Sequence, residues 1–203
     1  MRNHDPLILT VPAIETALTR IRSIIEGSPV PEDLEHSANT LEWLLRLDPH
    51  ADEALRIAAL GHDVERAVSS RRINKADFKS FDEFKAAHAM NSARILAEIL
   101  EECSVEKSVI KEVFRLVCLH ETGGDERSDL LKDADSLSFF DVNLPYYFAR
   151  NSVDATFERG VWGYKRLTRK SRETVKKFKY ADERLGILVQ EIAGAVEAGE
   201  SPA

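Results

Sequence analysis

A histidine followed directly by an aspartate, His62-Asp63, lies in the run Leu60-Gly61-His62-Asp63-Val64-Glu65-Arg66, which otherwise reads as the buried side of a helix. Burying an unpaired carboxylate is expensive, so the pair needs a partner. A divalent ion suits both groups, because the neutral imidazole offers a nitrogen and the carboxylate an oxygen. A satisfied core histidine beside a helix-end aspartate is the simpler alternative for an isolated pair. Four histidines, however, fall on the inner stripes of four successive expected helices: His36, His62, His88 and His120. His4 and His50 do not. With Asp63 and a later Asp135, the four form a ligand set of the kind built in the core of a helical bundle. Mixed imidazole and carboxylate ligands favour Mn, Fe, Co, Ni or Zn over an all-oxygen Mg or Ca cage.

The elements that must carry these groups are helices. Apolar residues recur at spacings of three and four, with no alternating strand pattern, so the chain reads as all-α. The expected helices span about Pro12–Glu26, Glu32–Leu47, Ala51–Val68, Phe81–Glu101, Val105–His120 and Glu126–Asp141. The polar, basic stretch Ser69–Lys79 reads as a surface loop, Glu121–Asp125 as a turn, and Asn143-Leu144-Pro145 as a break. The tail from about Tyr147 to Glu197 reads as two further helices, strongly basic between Arg159 and Lys179, and Ala198–Ala203 is expected to fray. Ala58 and Ala59 lie about one turn before His62-Asp63, which places that pair deep.

The 203 residues fit one domain, with a 43% apolar content sufficient for a core. The net charge of −7 argues against general nucleic-acid binding while leaving room for a local basic patch. Two cysteines, Cys103 and Cys118, read as reduced thiols rather than a disulfide framework. The opening run Leu7-Ile8-Leu9 is too short for a signal segment, and no stretch approaches the roughly 18 apolar residues of a membrane span. The expectation is a soluble cytoplasmic protein.

The order His36, then His62-Asp63, then Asp135 within Ala134-Asp135-Ser136-Leu137 resembles the HD superfamily of metal-dependent phosphohydrolases. The likeness covers about Glu32 to Val142. It implies an HD-like helical core over about residues 30–142 with a C-terminal helical extension over about 147–197. It also implies a first metal held by His36, His62, Asp63 and Asp135. Superfamily members with two metals carry two more histidines between the His-Asp pair and the last Asp. His88 and His120 occupy those places, with Asp63 as the bridge; the other reading has them line the pocket over a single ion. No subfamily signature is complete. The acidic pair of alarmone hydrolases is replaced by Val64-Glu65-Arg66-Ala67, and the glutamate that 5′-nucleotidases place three residues after the aspartate is Arg66 here. His120-Glu121-Thr122-Gly123-Gly124 lacks the second histidine and the Gly-Tyr-Pro of cyclic-dinucleotide phosphodiesterases.

The reaction so implied is hydrolysis of a small phosphorylated compound, with nucleotides among the candidates, using one or two divalent transition-metal ions. Asp63 and Glu65 are the expected catalytic carboxylates. Cations must surround the non-bridging oxygens, and Arg66, Arg72 and Lys75 are the expected substrate contacts, with Arg71 beside them. Lys165, Arg166 and Arg169 of the tail are secondary candidates, and Trp162, Tyr164, Tyr146 and Tyr147 are candidates to stack on a base. A non-catalytic, metal-containing regulatory module is the alternative. A homodimer and a monomer are both open.

Overall fold

In the computed structural model the described residues are 6–200; expectations about His4 and the last three residues lie outside them. The structure is all-α, without strands among the described residues. Among the described residues ten α-helices follow in order: α1 Pro6–Glu26, α2 Asp33–Leu47, α3 Glu53–Gly61, α4 Phe81–Glu102, α5 Lys107–Leu119, α6 Glu126–Ser138, α7 Leu144–Arg150, α8 Val153–Arg166, α9 Arg169–Val175 and α10 Glu183–Glu200. No helix among them is long and apolar enough to cross a membrane.

Local chemistry fixes the starts. Asp52 caps α3 by accepting from Leu55 N at 3.1 Å, and Ser80 caps α4 by accepting from Glu83 N at 3.1 Å. Asp125 and Ser128 cap α6 reciprocally, each side chain taking the other's backbone N–H. Two apolar clusters result. One is built from α1–α6, with Ile21, Leu44, Ile57, Leu96, Leu116 and Leu131 fully buried. The other joins the end of α6 to α8–α10 through Leu137, Phe140, Tyr164, Val175 and Leu188. Trp43 on α2 packs against both.

Several boundaries differ from those expected. Helix α3 stops at Gly61 rather than Val68, and Val64–Ala67 form a separate 3₁₀ turn. Asp63 takes φ −104° and ψ 15°, which turns the chain out of the helix right after His62. Gly61 allows a close approach there: a Cβ would come within 2.6 Å of the Leu96 side chain on α4, which would have to shift. The break expected at Asn143-Leu144-Pro145 is absent. A π turn over Phe139–Asn143 runs straight into α7, with Pro145 in the first turn, where its missing N–H has no helical partner to lose. The tail holds four helices rather than two, counting α7, and α1 extends back to Pro6 with Pro12 inside it. The Ser69–Lys79 stretch is a loop as expected, with short 3₁₀ turns at Ser69–Arg71 and Lys75–Asp77.

Candidate metal centre

The histidines come together from separate elements, and each is oriented by a hydrogen bond behind it. His36 on α2 has Nδ1 2.9 Å from Ser138 Oγ, whose hydroxyl donates in turn to the His36 carbonyl at 3.0 Å. His62 donates from Nδ1 to Ala59 O at 3.0 Å, and His120 from Nδ1 to Val117 O at 2.7 Å. His88 on α4 directs Nδ1 at Glu65 Oε2, 2.7 Å away. All four rings therefore turn Nε2 towards one another, the arrangement in which a backing partner fixes tautomer and orientation for a metal ligand.

Two groups of three donors form, with the ligand atoms of each within 4.8 Å of one another: His36, His62 and Asp135; and Asp63, His88 and His120. Asp135 Oδ1 lies 3.3 Å from both His36 Nε2 and His62 Nε2. Asp63 sits between the groups. Its Oδ1 is 2.7 Å from His88 Nε2, 3.8 Å from His62 Nε2 and 3.9 Å from His120 Nε2, and its Oδ2 is 4.0 Å from His36 Nε2. A third group, not expected from the sequence, joins His120 and Asp135 with Glu121. His120 Nε2 is fully buried and makes no hydrogen bond among the described residues, although Glu121 Oε1 is 3.1 Å away. A buried imidazole nitrogen left in that state is what a cation would satisfy. These six side chains thus fit a divalent ion in number, donor type and orientation.

Charge is balanced within the cluster. Burial alone would push the His62 imidazole down, but Asp63 and Asp135 beside it hold its pKa up at about 9. Burial likewise opposes ionisation of Asp63 and Asp135. His62 and His88 nonetheless hold Asp63 well below its ordinary range, and Arg166 and His62 do the same for Asp135. His88 is raised against burial by Asp63.

His36, Asp63, His88 and Asp135 open onto a cleft of about 850 Å³, with His62 and His120 behind them, and the expected contacts Arg66, Arg72 and Lys75 line it. Arg66 bridges two carboxylates, with Nη1 2.9 Å from Asp63 Oδ2 and Nη2 2.9 Å from Asp33 Oδ1. Arg71 turns away to Glu98. Glu65, expected as a catalytic carboxylate, is 2% exposed and engaged on both oxygens, by His88 and by the backbone N–H of Ile73. That geometry makes it a positioning group behind His88. Of the tail candidates, Arg166 reaches the centre: Nη2 lies 2.7 Å from Asp135 Oδ2, 3.2 Å from Glu121 Oε2 and 3.1 Å from the His120 carbonyl. Lys165 and Arg169 do not line the cleft. Among the aromatic candidates, Trp162 and Tyr147 line it, whereas Tyr164 is buried and bonded to Glu197 at 2.8 Å and Tyr146 faces outward. Sequence reasoning missed Asp33, Lys85, Glu121 and Arg159. Glu121 stands directly after His120 and is ion-paired with Lys85, and that adjacency was the available signal.

A family model described as a domain of unknown function (DUF4202) matches residues 17–188, so the chain belongs to that family. No curated protein and no solved structure matches it.

Proposed function

We propose that this DUF4202 chain is a metal-dependent phosphohydrolase of HD type that hydrolyses a small phosphorylated compound, with nucleotides among the candidates. The observation that carries the reading is the convergence of His36, His62 and Asp135 with Asp63, His88 and His120 against a cation-lined cleft, onto which His36, Asp63, His88 and Asp135 open. His36, His62 and Asp135 would hold one ion, His88 and His120 a second, and Asp63, which lies between the groups, would serve both. A divalent transition metal bound there supplies Lewis acidity towards a phosphoryl oxygen and lowers the pKa of water from 15.7 to about 7.

The chain's own groups supply the rest. Glu65, Ser138 and the carbonyls of Ala59 and Val117 hold the four imidazoles with Nε2 inward. Arg66 keeps Asp63 ionised and sits on the cleft wall, where its remaining N–H groups can meet a non-bridging phosphoryl oxygen. Arg166 keeps Asp135 ionised.

The alternative, a non-catalytic metal-containing module, draws on one observation: both oxygens of Glu65 are engaged, so it is not free to move a proton. The test is turnover. Protein purified without chelator and reconstituted with Mn, Co or Ni should hydrolyse members of a phosphoester panel, and a folded His62→Ala variant should not. A wild type that binds metal and hydrolyses none of the panel would favour the module.

A further inference from the structure

The cations of the cleft are not equivalent. Among the described residues, Arg66 is neutralised by Asp63 and Asp33, Lys85 by Glu121, and Arg166 by Asp135 and Glu121. Arg72 and Lys75 are exposed on the rim. Arg159 differs from all of these. It is half-buried and lines the cleft, yet no described carboxylate lies within ion-pairing distance and no described group accepts a hydrogen bond from it. It rests instead among three rings, with the guanidinium carbon 4.5 Å from the centroid of Trp162, 5.3 Å from Phe81 and 5.5 Å from Phe139.

The carboxylates that act on it, Glu121 and Asp135, do so from beyond ion-pairing distance and are already paired with Lys85 and Arg166, so the charge is poorly compensated, which is costly. Ring faces offset part of that cost, but they leave the in-plane N–H donors of the guanidinium without oxygen acceptors. Those donors suit a planar or tetrahedral oxyanion. Arg159 and Arg166 lie on one face of α8, and their guanidinium carbons sit 4.5 and 4.7 Å from the same Trp162 ring. Arg166 is committed to Asp135 and Glu121, which leaves Arg159 as the cation of this pair with donors free for a second anionic group.

We propose that Arg159 is a specificity-determining residue that binds a second anionic group, phosphate or carboxylate, on a doubly anionic phosphorylated substrate. The proposal rests on the phosphohydrolase reading, but its test does not use turnover. Binding is measured by isothermal titration of the Mn²⁺-loaded protein with two pairs of probes: fructose 6-phosphate against fructose 1,6-bisphosphate, and glycerol 3-phosphate against 3-phosphoglycerate. In the wild type the doubly anionic member of at least one pair should bind about tenfold tighter, the worth of one charge-assisted contact. The pair that shows the advantage identifies phosphate or carboxylate as the group. In Arg159→Gln the advantage should shrink to about twofold or less, with affinity for the singly charged member kept. Arg159→Met keeps the aliphatic stem against the rings and is read in the same way should Arg159→Gln fail to fold. A wild type with no advantage in either pair, or a folded variant that retains it, overturns the proposal. A protein that shows the Arg159-dependent advantage but hydrolyses nothing would sink the hydrolase reading and leave this one standing.

Discussion

Asp63 Oδ1 and His88 Nε2 are 2.7 Å apart, the shortest approach between the two donors, while the far side of the same ring is held by Glu65 at 2.7 Å. Both ring nitrogens of His88 face carboxylates, and Asp63 raises its pKa against burial. A metal taken up by His88 would compete with a proton at Nε2 and inherit an orientation set by Glu65.

Removing Glu65 should accordingly weaken metal binding without touching a ligand. Glu65→Ala is expected to lower affinity about 10- to 100-fold, the usual effect of losing a partner behind a ligating histidine. Glu65→Gln, which can still accept from His88 Nδ1, should fall between that variant and the wild type. Competition titration against a metallochromic dye reads both, and an affinity unchanged in Glu65→Ala would remove the positioning role.

The pH dependence should reverse with metal. In metal-free protein the folded His62 pKa of about 9 stands above its unfolded value of about 6.5, so its stabilisation is complete below about 6.5 and lost as pH rises through about 9. Asp63 and Asp135 are held below their unfolded values, so their contribution is present at neutral pH and lost as pH falls into the acid range. Metal needs the histidines deprotonated, so loaded protein should gain stability over the window in which metal-free protein loses it. Urea midpoints at pH 6, 7, 8 and 9, with chelator and with Mn²⁺, check this; parallel curves would contradict it.

Arg166 is the tie between the tail and the centre. Arg166→Met removes the guanidinium from the buried Asp135 Oδ2 and leaves Glu121 with Lys85 alone, and should destabilise metal-free protein by about 3–5 kcal/mol. Chemical denaturation measures it. A loss below about 1 kcal/mol would mean these carboxylates find other partners.

Gly61→Ala should cost about 1–3 kcal/mol, because the added methyl meets Leu96 in a packed interior and pushes on the residue before His62. A thermal melt reads the stability, and metal affinity should fall with it. An unchanged melt would mean that α4 yields freely at Leu96.

Much of this was legible in the sequence. The stripes of three-and-four spacing gave the all-α class and put His36, His62, His88 and His120 inward, while Asp135 was named from its motif; the structure brings all five together. Asp63 as a link between two groups came only from what the HD resemblance implies, and Asp63 does sit between them. What was not legible depended on a change of backbone path. The helix ends at Gly61 rather than Val68, and in the resulting 3₁₀ turn Glu65 swings under His88, with both oxygens engaged. The π turn after Ser138 carries the chain on through Pro145, so α8 returns across the cleft, and helical periodicity alone could not reveal that Arg159 and Arg166 would arrive there. Close packing of α8 on that turn relies on Gly163, where a Cβ would meet Phe139 at 2.8 Å.

The most direct test of the central claim is elemental analysis of folded protein after reconstitution with Mn, Co or Ni and removal of free metal, with His62→Ala and His88→Ala alongside. The account predicts about two ions per chain in the wild type, the number for which paired sites clamp both oxygens of a displacement, and a reduced content in each variant. A folded wild-type protein that takes up no ion would contradict it.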